Sequence, residues 1–187
     1  MARLILVKHA MPAIDEARPS KDWPISQEGR AAAAKLATRL EPFRPAFVVA
    51  STEPKAADTG RIIAERLGAD VAFDADLVET RRETVGWGTR AEVEAGIAGL
   101  FRRPSEAVYG EESADAAHAR FAGAVERRRA ADPAASLVVV AHGTVISLWV
   151  SRRLGIDPMP LWRSLPLPGA VVMAEDGESF EIIGGDP

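Results

Sequence analysis

Apolar residues along the chain gather into short continuous runs, separated by longer stretches of helical periodicity. Leu4-Ile5-Leu6-Val7 opens the protein, and Leu137-Val138-Val139-Val140-Ala141 recurs near its other end. Such runs, ended by small or polar residues, read as strands buried on both faces of a parallel sheet. Ala46-Phe47-Val48-Val49-Ala50 reads as another strand, and Val71-Ala72-Phe73 as a shorter extended piece. Between them, Ser26 caps a helix over residues 27–41 that Pro42 and Pro45 stop. Ser51 or Thr52 caps a helix running to Leu67, with Gly68 as its left-handed terminator. Thr89-Arg90-Ala91-Glu92 has the spacing of a capping box and starts a helix to about Phe101. Residues 113–131 form a long helix ended by Asp132-Pro133, and residues 144–154 another closed by Gly155. Val171-Val172-Met173 and Phe180-Glu181-Ile182-Ile183 flank Asp176-Gly177, a hairpin signal. Strands alternating with helices imply right-handed βαβ units and a mostly parallel sheet with an antiparallel strand at one edge. No linker or repeat interrupts the pattern, so residues 1–187 are expected to form a single domain.

Two of the three histidines, His9 and His142, directly follow the two near-identical apolar runs. Ligands of open α/β sheets bind at the carboxyl ends of the strands, where both imidazoles would project. A lone histidine there reads as an accident of structure; two in the same frame point to a shared site.

Composition narrows the chemistry. The acidic excess is small, 27 Asp+Glu against 23 Lys+Arg, and no basic face for nucleic acid is evident. The absence of cysteine excludes disulfides, thiolate zinc sites and thiol nucleophiles. No two histidines fall at helical ligand spacing, so no metal motif is present. The N-terminal apolar run is about four residues long and ends in Lys-His, which is neither a signal peptide nor a membrane span. A soluble cytoplasmic protein is expected.

The groups around the histidines suggest what the site handles. Lys8 adjoins His9, and Lys55 lies in the first turns of a helix that follows a strand directly, so both emerge at the same sheet edge. Backbone N–H groups at that helix start, and at the one after His142, favour an anion. Glu79 follows a short extended stretch. Two imidazoles, two ammonium groups and a carboxylate at an anion-binding edge suit phosphoryl transfer. That reaction needs neutralised phosphoryl oxygens, an in-line nucleophile and an acid for the departing alkoxide. Imidazole itself is a competent nucleophile.

These residues also carry a family resemblance. Lys8-His9-Ala10 resembles the Arg-His-Gly signature of the histidine phosphatase (phosphoglycerate mutase-like) superfamily. Trp23-Pro24-Ile25-Ser26-Gln27-Glu28-Gly29 is similar to its Pro-Leu-Thr-x-x-Gly segment. Ser51-Thr52-Glu53-Pro54-Lys55-Ala56-Ala57-Asp58-Thr59 is similar to its Ser-Pro-x-x-Arg-Ala-x-x-Thr helix start. Leu77-Val78-Glu79 matches the Leu-x-Glu of the proton donor. Gly110-Glu111-Glu112-Ser113, with Arg120-Phe121, resembles the Gly-Glu-Ser segment and following helix, and Val140-Ala141-His142-Gly143 the second-histidine strand. Each match alone is weak; six in the right order are specific. The resemblance implies a three-layer α/β/α sandwich, a phosphohistidine intermediate on His9 and catalysis without metal or other cofactor. It implies that Glu79 protonates the leaving oxygen and that Lys8, Lys55 and His142 hold the phosphoryl group of a small phosphorylated substrate.

The departures from that pattern matter as much. Both signature arginines are replaced, by Lys8 and Lys55, and a flexible point charge does not reproduce a rigid guanidinium fork. Arg81 or Arg82 could restore a guanidinium. Arg82 is preferred, because three residues beyond Glu79 it shares a face if the segment is helical. A gap-free count places Asp15 where many relatives carry Asn. Thr144 is either an N-cap or a phosphate ligand. His118 is expected on the solvated surface, and Arg127-Arg128-Arg129 suits the negative end of a helix. Trp149 and Trp162 are expected in the core or at a subunit contact, the latter making a homodimer. The resulting expectation is a small phosphomonoesterase. A catalytically weakened phospholigand-binding protein and a protein phosphohistidine phosphatase are its alternatives. Mutase action is disfavoured, since mutase relatives are longer.

Overall fold

The computed structural model describes residues 2–184. In chain order these form β1 (Leu4–Lys8), α1 (Gln27–Leu40), β2 (Pro45–Ser51), α2 (Pro54–Leu67), β3 (Asp70–Asp74), α3 (Arg90–Arg102), α4 (Ala114–Ala131), β4 (Ser136–Ala141), α5 (Gly143–Leu154), α6 (Pro158–Ser164), β5 (Gly169–Met173) and β6 (Phe180–Gly184). The strands make one six-stranded sheet in the order β3-β2-β4-β1-β5-β6. β1 to β4 are mutually parallel, β5 runs antiparallel to β1, and β6 antiparallel to β5. The hairpin expected around Asp176-Gly177 therefore closes one edge of the sheet, with Gly177 at φ 71.

Alternate residues of each central strand point to opposite faces, and both faces are apolar. Leu6, Val49 and Val139 pack with Phe121 of α4 and Ile146 of α5, while α3 and α6 add Leu100 and Leu161. Ile5, Val7, Val48, Val138 and Val140 pack instead with Leu36 and Leu40 of α1 and Ile63 of α2. Each such side chain contributes about 1.5–3 kcal/mol through burial. The result is the three-layer α/β/α sandwich expected from the sequence.

The capping chemistry largely follows the sequence. The Ser26 side chain accepts from Gly29 N, Thr89 and Glu92 form a capping box, and Ser113 accepts from Ala116 N. Gly68 and Gly155 close their helices at φ 63 and 66. The start of α2 differs: its cap is Glu53, with Pro54 at the first helical position, and neither Ser51 nor Thr52 caps it. Proline at that position fixes where the helix begins and leaves Ser51 as the last residue of β2. The short helix α6 was not anticipated, because Pro158 and Pro160 read as breakers; Asp157 caps it by accepting from Met159 N.

The topology positions a site. β1 and β4 are neighbours in register, Lys8 opposite Ala141, so the residues after them leave the sheet at one level. The His9 N–H continues the ladder by donating to Ala141 O at 3.0 Å. Gly29 of α1 lets the loop after His9 close in, since a Cβ there would stand 2.3 Å from Met11 O. Among the described residues no helix is long and apolar enough to cross a membrane.

Candidate active site

His9 and His142 meet edge to face beyond the strand ends, with ring centroids 5.2 Å apart. They are 8% and 1% exposed, at the floor of a cleft of about 570 Å³. His9 Nδ1 lies 2.8 Å from Ala10 O. A carbonyl can only accept, so Nδ1 carries the proton and Nε2 keeps its lone pair. His142 Nε2 lies 3.0 Å from Ser51 Oγ, while its Nδ1 has no partner among the described residues. When the Ser51 hydroxyl donates to Nε2, the ring proton of His142 sits on Nδ1 as a free donor.

Burial is the main force on both rings. It holds His9 well below its ordinary 6.5, aided by the electrostatic influence of His142 and Lys55 on its protonated form. It lowers His142 to about 3, with Lys55 adding to the effect and Glu79 opposing it. Both imidazoles are therefore neutral at pH 7.

Glu79 sits opposite them in a frame of hydrogen bonds. Its Oε1 accepts from Thr80 N at 2.9 Å and its Oε2 from Thr144 N at 3.1 Å. Thr144 thus acts through its backbone N–H, at the start of α5, and holds the carboxylate. The backbone around Glu79 is clamped by Arg120 of α4. The Arg120 guanidinium grips the Glu112 carboxylate through Nε and Nη2 at 3.1 and 2.8 Å, and donates to the carbonyls of Asp76, Val78 and Glu79. Glu112 also accepts from Arg81 N at 3.1 Å. A bidentate buried pair of this kind fixes direction as well as position. Along the sequence Glu112 and Arg120 are only letters of a motif; their place as the support of Glu79 is a tertiary fact.

The two lysines differ. Lys8 Nζ donates to Leu165 O at 3.1 Å, and burial lowers its pKa while Glu79 opposes that shift. Lys55, 5% exposed, donates to Glu53 Oε2 at 2.6 Å and to Ser20 O at 2.5 Å. Glu53 was not anticipated. Its Oε1 accepts from Glu79 N at 2.9 Å and lies 3.6 Å from His142 Nε2, so one carboxylate ties Lys55, Glu79 and His142 together.

Arg81 and Arg82 both line the cleft, but not on a helix: residues 78–88 are irregular, which removes the shared-face argument for Arg82. The segment is held from behind by Gly110. At φ 110, a Cβ on Gly110 would stand 2.4 Å from Arg81 O. The Arg82 guanidinium lies over the Tyr109 ring, 5.6 Å from its centroid. Asp15 is exposed and outside the cleft lining, its carboxylate accepting from Ala17 N. His118 is half-buried on α4, not fully solvated, and burial lowers its pKa. Trp149 packs in the core, whereas Trp162 lines the cleft. Among the described residues no set of three or more His, Asp or Glu side chains is arranged to hold a metal ion.

Comparison with known proteins agrees with this architecture. The family model of the histidine phosphatase superfamily (branch 1) matches residues 4–181. No curated protein matches the chain. Among solved structures, a mycobacterial glucosyl-3-phosphoglycerate phosphatase complexed with VO3 superposes with a TM-score of 0.77 at 23% identity, over 98% of this chain and 97% of that one. A phosphoserine phosphatase mutant from Entamoeba histolytica, in complex with phosphoserine, gives 0.77 at 15% identity, over 98% and 96%. YhfR from Bacillus stearothermophilus gives 0.75 at 21% identity, over 100% and 98%.

Proposed function

The chain belongs to the histidine phosphatase superfamily, branch 1, and on that premise we propose that it is a metal-independent phosphomonoesterase working through a phosphohistidine at His9. The observation that carries this reading is the state of the His9 ring, whose Nδ1–H is tied to Ala10 O while Nε2 keeps its lone pair within a cation-lined cleft. In the first step Nε2 attacks phosphorus as the bond to the ester oxygen breaks. Glu79 supplies the proton to that oxygen, and the alcohol leaves. Both Glu79 oxygens accept a backbone N–H, which orients the carboxyl group toward the departing oxygen without occupying all of its lone pairs. In the second step Glu79, now ionised, takes a proton from water, and the water oxygen attacks phosphorus. The P–N bond breaks, inorganic phosphate leaves and His9 is restored.

His142, in the Nδ1–H tautomer, donates to a phosphoryl oxygen, and Lys8, Lys55 and Arg82 neutralise the charge on the others. Such groups act where charge spreads over the equatorial oxygens. The ion pair between Glu53 and Lys55 favours a second reading, a protein that binds a phospholigand without turning it over, because the carboxylate already answers one of the cations. A panel of phosphomonoesters, assayed with and without a chelator, separates the two. The proposal expects turnover that survives the chelator and disappears in His9→Ala. Binding of vanadate by the parent with no turnover on any ester would establish the second reading instead.

A further inference from the structure

The chain has four tryptophans and one tyrosine, and three of the former with the latter line one continuous depression. Beyond the phosphoryl end, the cleft opens into a groove of about 740 Å³, and Trp23, Arg82, Val85 and Trp162 belong to the walls of both. Trp87 and Tyr109 complete it. Trp23 is fixed: it is buried, and its Nε1–H donates to Asp15 O at 2.8 Å and Arg18 O at 3.1 Å. Trp87 leans on it at 5.0 Å between centroids and is nevertheless 51% exposed. A large aromatic face held in water by a rigid neighbour is a contact surface without its contact.

Two acidic side chains along the groove are engaged with the protein itself. Glu92 closes the capping box with Thr89, and Glu83 pairs with Lys21 at 2.8 Å. Ring faces are what the groove has left to offer a ligand, with the exposed Glu16, Arg18 and Arg90 around them. The groove adjoins the cleft that holds the phosphoryl end, sharing Arg82 with it, so what enters the groove is the alcohol portion of the substrate.

Building on the phosphatase reading of the site, we propose that the phosphomonoester taken by this protein carries a planar aromatic group on its alcohol, seated in the groove formed by Trp23, Trp87 and Trp162 beside Tyr109. Short alcohols leave the aromatic faces wet.

The test uses the intact protein and primary alkyl phosphates, whose leaving groups are similarly basic: 3-phenylpropyl, 3-cyclohexylpropyl and n-propyl phosphate, with glycerol phosphate as the hydroxylated comparison. The expected kcat/KM for the phenylpropyl ester exceeds that for propyl by about tenfold or more, and that for cyclohexylpropyl by about threefold. Trp87→Ala, at an exposed position, should collapse the phenyl-to-propyl ratio toward unity. Equal rates on phenyl and cyclohexyl esters would reduce the groove to a merely apolar one and overturn the aromatic assignment, as would a ratio that survives Trp87→Ala. If no ester is turned over, the phosphatase reading fails separately. Dissociation constants of phenylpropylphosphonate and propylphosphonate then decide the groove's occupant by the same ratio.

Discussion

The two sides of the cleft each contribute a lysine where a guanidinium was expected, and the two are in opposite electrostatic states. On the β1 side, Lys8 donates to the Leu165 carbonyl and, among the described residues, forms no ion pair, Glu79 acting on its charge without a direct contact. On the α2 side, Lys55 lies against Glu53, and that carboxylate continues to Glu79 and His142. In the proposed mechanism Lys8 therefore meets the phosphoryl group without a paired carboxylate, only the more distant Glu79 opposing its charge. Lys55 belongs to a neutralised pair that holds a flexible side chain in one direction, a constraint that the planar arginine fork supplies by itself. The same exchange in two motif positions has two physical meanings, decided by whether a carboxylate stands two residues away.

Mutation can break or sharpen this contrast. The largest effect is expected for Lys55→Ala, which leaves the Glu53 carboxylate buried and unpaired beside an incoming phosphate. Activity should fall by about 10²-fold or more, with a loss of about 3 kcal/mol in stability. Adding Glu53→Gln to that variant should recover part of both losses in kinetics and denaturant unfolding. Lys8→Ala should also cost about 10²-fold, but Glu53→Gln should not rescue it. Equal rescue of both lysine variants would erase the distinction. Glu79→Gln should slow alkyl phosphates by about 10²-fold while sparing nitrophenyl phosphate, whose leaving group needs little proton assistance. Equal losses on both substrates would remove Glu79 from acid catalysis.

The smallest effect concerns pH. Burial depresses both histidines in the folded chain, His142 to about 3. Between the unfolded value near 6.5 and those depressed values the unfolded chain binds more protons, so stability is full above pH 6.5 and declines as pH falls. His9 stays neutral over the same interval. The acid limb of kcat/KM should therefore lie well below 6.5, and a half-loss of activity at 6.5 would contradict the depressed rings.

Much of this architecture was legible along the chain because it rests on local rules. The doubly buried runs of β1 and β4 and the caps at Ser26, Thr89 and Ser113 follow from period and side-chain reach. The same holds for the left-handed glycines at 68 and 155. The positions of His9, Glu79 and His142 were legible too, since two strand ends and one motif sufficed to bring them to one edge. Contacts across the fold were not. Ser51 is a good capping residue by type, yet Pro54 sets the start of α2 and Ser51 instead bonds His142. Glu53 stands in the sequence only as one letter of the Ser51–Thr59 motif, and nothing local shows that it folds back onto Lys55. The eight-residue separation of Glu112 and Arg120 hides a bidentate pair whose purpose is visible only with the 76–81 segment beside it. Arg82 reaches the cleft on an irregular segment, for a reason unlike the helical one the spacing suggested.

The central claim is that His9 carries the phosphoryl group between the two steps, and rapid quenching with a 32P-labelled ester tests it most directly. The account predicts that label appears on the protein as an acid-labile, base-stable adduct, maps to the peptide containing His9, and is absent from His9→Ala. A His9→Ala variant that turns over at the parental rate, or label that is stable to acid, would contradict it.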